Sequence, residues 1–411
     1  MRAIMAALLS GFLVFASMAA TRNLGPGDDA APPRPGTVDR HLAAATDRFG
    51  ISLLKEVSAA RPGENLFLSP LSAQVVLTLT ANGARGETQA EMLKALGYGG
   101  MDLAAINEGN QALLGLLQNP DPDVELSIAN AIWYQQGLQV APEFERVATQ
   151  QYRAAIQATR FGQPEAAAAI NGWVSDQTRG RIPQLVDRTS PDDRMWLVNA
   201  VYFKGKWEKP FDPALTRARP FHLVDGSVRN VPFMHQQAVF GYLKEDGITG
   251  VRLPYGEGGL SLYAFMPDRW EGFLDKLTPE QYREWVAAMG QREIRLAMPK
   301  LKLTDQAELV EPLTALGMQK VFDRSQADLS GLFVGLDQQL YISRVIQKTF
   351  LEVNEEGTEA AAATGVGVTV TSLPVDQPPE VVLDRPFLLT IRDDRTGVTL
   401  FMGAILKVDG A

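Results

Sequence analysis

The segment from Glu355 to Thr371, EEGTEAAAATGVGVTVT, most constrains how this chain can fold. Because side chains alternate across a strand, its pattern predicts a β-strand with one face suited to burial. Small residues at its start suit a strand that slides between two others, and Val and Thr at its end favour a strand. The face that can be buried carries Thr358, Ala360, Ala362, Thr364, Val366, Val368 and Val370.

This strand pattern leads directly into a segment that reads as an exposed loop. Ser372 to Glu380, SLPVDQPPE, contains three prolines, which interrupt the hydrogen bonding of an internal strand. A strand pattern within an exposed loop suggests a switch between two states. A flexible Gly/Ala linker, or a short helix over the four alanines, is the alternative interpretation.

Composition and motif content exclude several kinds of site. The chain has 411 residues, 45% hydrophobic and 21% charged, as expected of a folded globular protein. Its net charge is −9, from 39 basic and 48 acidic residues, and no long basic run predicts a nucleic-acid partner. The absence of cysteine excludes disulfides and thiol catalysis, and the scattered His41, His222 and His235 predict no metal site. No catalytic residues are predicted, and the glycines at 256, 258 and 259 read as a hairpin turn rather than a phosphate loop.

The N-terminus reads as a targeting segment. Arg2 precedes an apolar run over residues 3–16, and the small residues that follow predict a signal peptide over residues 1–19. Residues 20–37 contain four prolines and predict a disordered spacer before a single domain over residues 38–411. No later stretch is long and apolar enough to predict a membrane span. We therefore expect a secreted or periplasmic protein without a membrane partner.

The remaining chain alternates between helical and strand periodicity. Helices are predicted at His41–Val57, Ala73–Leu79, Glu87–Leu96, Pro164–Thr178, Pro279–Met289 and Gln306–Leu316. Strands are predicted at Leu126–Tyr134, Met195–Phe203, Phe221–Val224, Val239–Leu243, Gly250–Leu253, Leu260–Met266, Glu293–Met298, Phe387–Arg392 and Thr399–Leu406. These elements predict a mixed α/β fold of the α+β type with several sheets.

Six short motifs in order resemble the serpin family of serine protease inhibitors. They are Asn65–Ser72 (NLFLSPLS), Leu126–Asn130 (LSIAN), Leu197–Ala200 (LVNA), Phe203–Glu208 (FKGKWE), the segment Glu355–Ala363, and Asp384–Leu388 (DRPFL) with Phe401–Gly403 (FMG). The resemblance covers nearly everything from Val38 to Val408, and it leaves a bacterial source open. It implies three β-sheets, eight or nine helices and an exposed reactive loop over about residues 355–380.

The resemblance implies a suicide-substrate inhibitor and not an enzyme. A serine protease attacks the loop and forms an acyl-enzyme, and the cleaved loop inserts into the central sheet and distorts the trapped protease. A cysteine protease is an alternative target. The alternative is a noninhibitory serpin that acts as a carrier or chaperone. We expect the protein to be a monomer that needs no cofactor.

The resemblance also assigns roles to individual residues. The hinge, where the loop leaves the sheet, comprises Gly357, Thr358, Glu359, Ala360, Ala361, Ala362 and Ala363. The shutter, a polar cluster beneath the sheet, comprises Ser69, Ser72, Asn199 and Gln347, with Gln347 where a histidine is expected. The breach, where the loop first enters, comprises Trp207, Lys300 and Glu355.

The bond attacked is predicted by counting along the loop. Seventeen residues from Glu355 place Thr371 and Ser372 on either side of the reactive bond, whereas counting back from Pro386 favours a bond near Val375. The flanking residues are small and β-branched, which predicts an elastase-like or subtilisin-like protease with a small apolar pocket. Cleavage after Leu373 by a chymotrypsin-like enzyme is the near alternative.

Overall fold

A computed structural model describes residues 40–118, 120–335, 340–358 and 377–408. The predicted signal peptide and spacer lie outside these ranges, as do Thr371, Ser372 and hinge residues 359–363. The described residues form nine α-helices, two short 3-10 helices and seventeen strands in three sheets. This architecture confirms the predicted mixed α/β class with three sheets and eight or nine helices.

Most helices cover the sheets with an apolar face. The first, α1, buries Leu42, Phe49 and Leu53, and α2 is buried almost throughout. No helix in the described ranges is long and apolar enough to cross a membrane. The α-helices are α1 (Arg40–Ala60), α2 (Pro70–Gly83), α3 (Gly86–Ala95), α4 (Leu103–Leu117), α5 (Pro142–Gln150), α6 (Pro164–Gln177), α7 (Phe273–Lys276), α8 (Pro279–Ala288) and α9 (Val310–Ala315).

A six-stranded sheet lies at the centre of the fold. Its strands are β2 (Val124–Gln135), β4 (Ala155–Thr159), β5 (Met195–Lys206), β11 (Leu301–Glu308), β13 (Arg344–Val353) and β14 (Gly357–Thr358). Their order is β11-β13-β14-β5-β2-β4. Strand β5 is apolar on both faces and buried from Met195 to Phe203, as its sequence predicts for a central strand.

The other strands form a nine-stranded sheet and a two-stranded sheet. The larger has the order β1-β17-β16-β9-β8-β7-β10-β15, with β6 paired to β7, and the smaller pairs β12 with β3. Their strands are β1 (Leu66–Leu68), β3 (Gln139–Val140), β6 (Arg217–His222), β7 (Val228–Glu245), β8 (Ile248–Tyr255), β9 (Leu260–Pro267), β10 (Gly290–Pro299), β12 (Phe333–Val334), β15 (Glu380–Val382), β16 (Phe387–Asp393) and β17 (Val398–Ile405).

Each face of the central sheet has its own core. The inner cluster, which includes α1, α2, β1 and β17, takes Leu197 and Val201 from β5. The outer cluster, which includes α6, takes Trp196 and Val198 from the same strand. The alternation of β5 between the two clusters means that any strand placed beside it must also fit two packed faces.

One predicted helix is wrong at its N-terminal half. The helix predicted at Gln306–Leu316 is a strand up to Glu308, and only Val310–Ala315 is helical. In β11 the inward position 305 holds a buried Asp, whose carboxylate accepts hydrogen bonds from the Phe67 amide and the Arg61 side chain, both at 2.8 Å. An inward-facing acid conceals the alternation that identifies a strand from sequence.

Candidate functional site

Two neighbouring strands at the centre of the six-stranded sheet run parallel. Strands β13 and β5 pair directly at seven positions, from Arg344 opposite Trp196 to Phe350 opposite Tyr202. Above them the two residues of β14 lie between both strands, and Thr358 pairs with Val353 and with Gly205. We call the line between β13 and β5 the slot. At its head, the end next to Gly357 and Thr358, strand β14 lies between β13 and β5. Below β14 these two strands pair with each other directly.

The hinge residue Gly357 is in a position that only glycine fits. Its φ of 153° lies outside the range that other residues commonly adopt. A Cβ at this position would collide with the Gly205 carbonyl oxygen and lie 2.6 Å from the Lys206 Cα. The sharp turn of the chain into the slot therefore depends on this glycine.

The next residue, Thr358, is completely buried in the slot. Its hydroxyl shares a hydrogen bond of 2.8 Å with the hydroxyl of Tyr255 on β8. Burial raises the pKa of Tyr255 well above its usual range, so the phenol stays neutral at this contact. The two hydroxyls therefore satisfy one another in a fully buried position.

An indole holds the chain just before the hinge. The Trp207 Nε1 donates to the Asn354 carbonyl at 2.9 Å, and its backbone amide donates to the Glu356 carbonyl at 2.8 Å. Its ring is stacked on Tyr255 with centroids 4.5 Å apart. The aromatic pair thus supports both the turn and the buried threonine.

The side chain of Glu355 is fixed from two sides. One carboxylate oxygen lies 3.0 Å from the Lys300 Nζ, and the other accepts a hydrogen bond of 2.7 Å from the Thr216 hydroxyl. Burial alone would raise the pKa of Glu355, but the hydrogen bonds from Thr216 and Lys300 outweigh it and lower that pKa. The structure therefore brings the three predicted breach residues together at the head of the slot, where Trp207 and Lys300 hold residues 354–356.

Polar side chains cross the slot lower down. The Gln347 Nε2 on β13 donates to the Asn199 Oδ1 on β5 at 2.7 Å. The Asn199 Nδ2 donates in turn to the Asn130 Oδ1 on β2 at 2.7 Å. All three residues are less than 5% exposed. Three adjacent strands are thus joined by a buried chain of amides.

The N-terminus of α2 completes this network from the inner side. Ser69 caps the helix, and its backbone amide donates to the Gln347 Oε1 at 2.8 Å while its carbonyl accepts from the Gln347 Nε2 at 2.9 Å. Asn199 also donates to the Ser72 hydroxyl. The four residues predicted to form the shutter therefore lie in one buried network. A glutamine satisfies it without a group that titrates near neutral pH.

Sequence reasoning did not identify three members of this site. Asn130 matches Asn199 as a lone amide in an otherwise apolar strand, a signal that a comparison of the two strands would have found. Tyr255 and Thr216 lie on elements distant in sequence from the hinge, and nothing local marks them. Within the described ranges no group of three or more His, Asp or Glu side chains is placed to hold a metal ion.

Comparison with known proteins identifies the family. A family model described as Serpin (serine protease inhibitor) matches residues 44–408. The leukocyte elastase inhibitor of Bos taurus is 35% identical over 379 residues, which cover 89% of this chain and 98% of the relative. Serpin A3-3 of Bos taurus is 35% identical over 377 residues, covering 90% of each chain.

Solved structures agree with the sequence relatives. The thermophilic serpin tengpin in its native state matches with a TM-score of 0.85 and 32% identity, covering 92% of this chain and 97% of tengpin. Serpin48 of the insect Tenebrio molitor matches with a TM-score of 0.80 and 31% identity, covering 91% and 100%. This chain belongs to the serpin family, which its family model describes as serine protease inhibitors and not as enzymes.

Proposed function

We propose that this protein is a secreted suicide-substrate inhibitor of serine proteases, whose cleaved loop inserts into the slot. The observation that carries the proposal is the position of Thr358 between two strands that are parallel to each other. Strand β14 is antiparallel to both of them. A strand that continued beyond Thr358 would therefore form two antiparallel ladders at once, in place of one parallel ladder.

The register at the head of the slot fixes where each later residue would lie. Because Thr358 pairs with Val353 and Gly205, extending the strand would bring Thr364 between Gln347 and Asn199. Positions 347 and 199 are directly paired now. Insertion would therefore break the hydrogen bond between the Gln347 and Asn199 side chains. The Thr364 hydroxyl would then lie between these two amides, which would each need a new partner.

The same register would bury the valine face. Val366 would lie between Val345 and Leu197, both of which are at most 1% exposed and belong to the inner cluster. Val368 would follow on the same face beside Met195, whereas Val370 would lie beyond the first residues of β13 and β5. Each buried valine contributes roughly 1.5–3 kcal/mol, and the added ladder contributes further. The described state, with the slot closed, is then metastable and persists for kinetic reasons.

The opposite face explains the small residues of the loop. In this register Gly365 would lie between Ile346 and Val198, which are completely buried in the outer cluster beside α6. A large side chain there would clash with a packed core. The alternation of small residues with Thr and Val therefore suits a slot whose two faces are already covered.

The target is inferred from the loop sequence and from one relative. Thr371 and Ser372 are proposed to flank the reactive bond, which favours a protease with a small apolar pocket. A relative at 35% identity is named a leukocyte elastase inhibitor, which supports an elastase-like target. Export is proposed from the apolar N-terminus, and a mature protein that begins near residue 20 would support it.

Incubation with a panel of elastase-like, subtilisin-like, chymotrypsin-like and trypsin-like proteases tests the proposal. We expect a covalent complex that survives denaturing electrophoresis with at least one elastase-like or subtilisin-like enzyme. Mass analysis of the peptide released from that complex locates the cut, expected after Thr371. Cleavage of the loop by every protease without a stable complex would instead indicate a noninhibitory protein. A trapping cut outside Val370–Leu373 would refute the placement of the bond.

A further inference from the structure

A second side-chain contact crosses the slot at its lower end. The Arg344 guanidinium on β13 lies over the ring of Trp196 on β5, with its Cζ 4.7 Å from the ring centroid. The two residues are the lowest of the seven directly paired positions. This distance is within the range of a cation–π interaction.

This contact lies on the opposite face from the amide network. Arg344 and Gln347 are three positions apart on one strand, so their side chains point to opposite faces. Trp196 is completely buried in the outer cluster, and its ring lies 5.5 Å from that of Phe161. Gln347 instead reaches Ser69 on the inner side. The slot is therefore bridged on both faces.

A strand inserted along the slot would have to break the outer bridge. Its register would bring Gly367 between Arg344 and Trp196. One added strand increases the separation of the two strand backbones from about 4.8 Å to roughly 9.6 Å, so the ring contact in its present geometry is lost. Glycine brings no side chain that could replace the lost contact.

Arg344 keeps a second partner that insertion would leave in place. Its Nε lies 2.7 Å from the Glu308 Oε2, and Glu308 is on β11, on the side of β13 away from the slot. The ion pair and the ring contact of one guanidinium can therefore be tested separately. Only the ring contact spans the slot.

We propose that the Arg344–Trp196 contact sets the rate of loop insertion, as a brake that must open before the strand can reach the lower end of the sheet. The proposal rests on the insertion mechanism given above. It predicts that Arg344, at the opposite end of the slot from the hinge residues Gly357 and Thr358, controls the partition between trapping and release of the protease.

Annealing of a synthetic peptide that copies residues 359–371 into the uncleaved protein tests the brake. We expect the peptide to anneal to Arg344→Met about fivefold to tenfold faster than to wild type, because the variant lacks the cation–π contact between a partly exposed guanidinium and a buried ring. The matched variant Glu308→Gln removes the ion pair and keeps the ring contact, and it should anneal at the wild-type rate. Equal rates for Arg344→Met and wild type, or equal acceleration in both variants, would overturn the proposal.

Thermal melts separate this role from a purely structural one. Arg344→Met should lower the midpoint of the uncleaved protein more than Glu308→Gln does, because it removes the ring contact as well as the ion pair. In the loop-cleaved protein, where only the ion pair remains, the two variants should have equal midpoints. A difference between the two variants that is the same in both forms would refute the brake. If wild-type protein gains no heat resistance on loop cleavage, the insertion mechanism itself fails, whatever the variant does.

Discussion

Substitution of the first hinge side chain that enters the slot should convert the inhibitor into an ordinary substrate. In the described structure Thr358 is already 0% exposed, between Val353 and Gly205. Thr358→Arg would place a guanidinium at this point. In the uncleaved variant we expect the hinge to leave this position so that the guanidinium stays in solvent. Insertion then requires the guanidinium to enter the sheet.

The cost of bringing the guanidinium into the sheet follows from the contacts of Thr358. Loss of the 2.8 Å hydrogen bond leaves the buried Tyr255 hydroxyl without its partner, which costs about 1–3 kcal/mol. Burying an unpaired guanidinium adds several kcal/mol more. A total of about 4 kcal/mol or more slows insertion by roughly a thousandfold, so hydrolysis of the acyl-enzyme completes first.

The stoichiometry of inhibition measures this competition directly. With a protease that wild type traps, we expect Thr358→Arg to be cut at the same bond and to form no stable complex. Thr358→Ser keeps the hydroxyl and the small volume, and it should trap the protease nearly as wild type does. Trapping by Thr358→Arg with wild-type stoichiometry would refute the inward orientation of this side chain during insertion.

Two further substitutions test the anchoring of the hinge. Gly357→Ala should lower the melting midpoint of the uncleaved protein by a few °C, because its Cβ meets the Gly205 carbonyl, whereas Gly290→Ala, with no atom within 4 Å of the added Cβ, should not. Equal midpoints for both alanine variants would contradict the tight fit. Glu355→Gln should reduce stability by up to about 1 kcal/mol near pH 6 through loss of the Lys300 contact. Since the pKa of Glu355 is lowered in the folded state, its contribution is present above the unfolded pKa of about 4.3 and is lost as pH falls through the folded value. The difference in midpoint between wild type and Glu355→Gln should therefore shrink as the pH falls below about 4.3, and a difference independent of pH would argue against the ion pair.

The sequence predicts apolar elements well and polar ones poorly. Strand β5 lies close to its predicted bounds because it is an almost unbroken apolar run, and helix α6 does because its apolar residues keep a helical spacing. Strand β13, which forms one wall of the slot, was not predicted. Its inward positions include Gln347 and Thr349, both 1% exposed, so its buried face carries polar side chains. Such residues are buried only because distant partners satisfy them, and a single sequence does not reveal those partners.

In the candidate site, too, the sequence reveals residues with a local signal and does not reveal their distant partners. The hinge is recognisable because small residues and a two-residue period are local properties of Gly357 and the residues that follow. The partners that hold it, Thr216 and Tyr255, lie more than a hundred residues away in the chain. Side-chain placement across the slot likewise depends on strand register, which periodicity alone does not fix.

Thermal melting before and after a single cut within Gly365–Leu373 tests the central claim most directly. If the released loop joins the central sheet, the new ladders and the buried valine face should raise the midpoint of the cleaved protein well above that of the intact protein. The same cut in Thr358→Arg should give a smaller rise. A midpoint for cleaved wild-type protein that is unchanged or lower would contradict insertion into the slot.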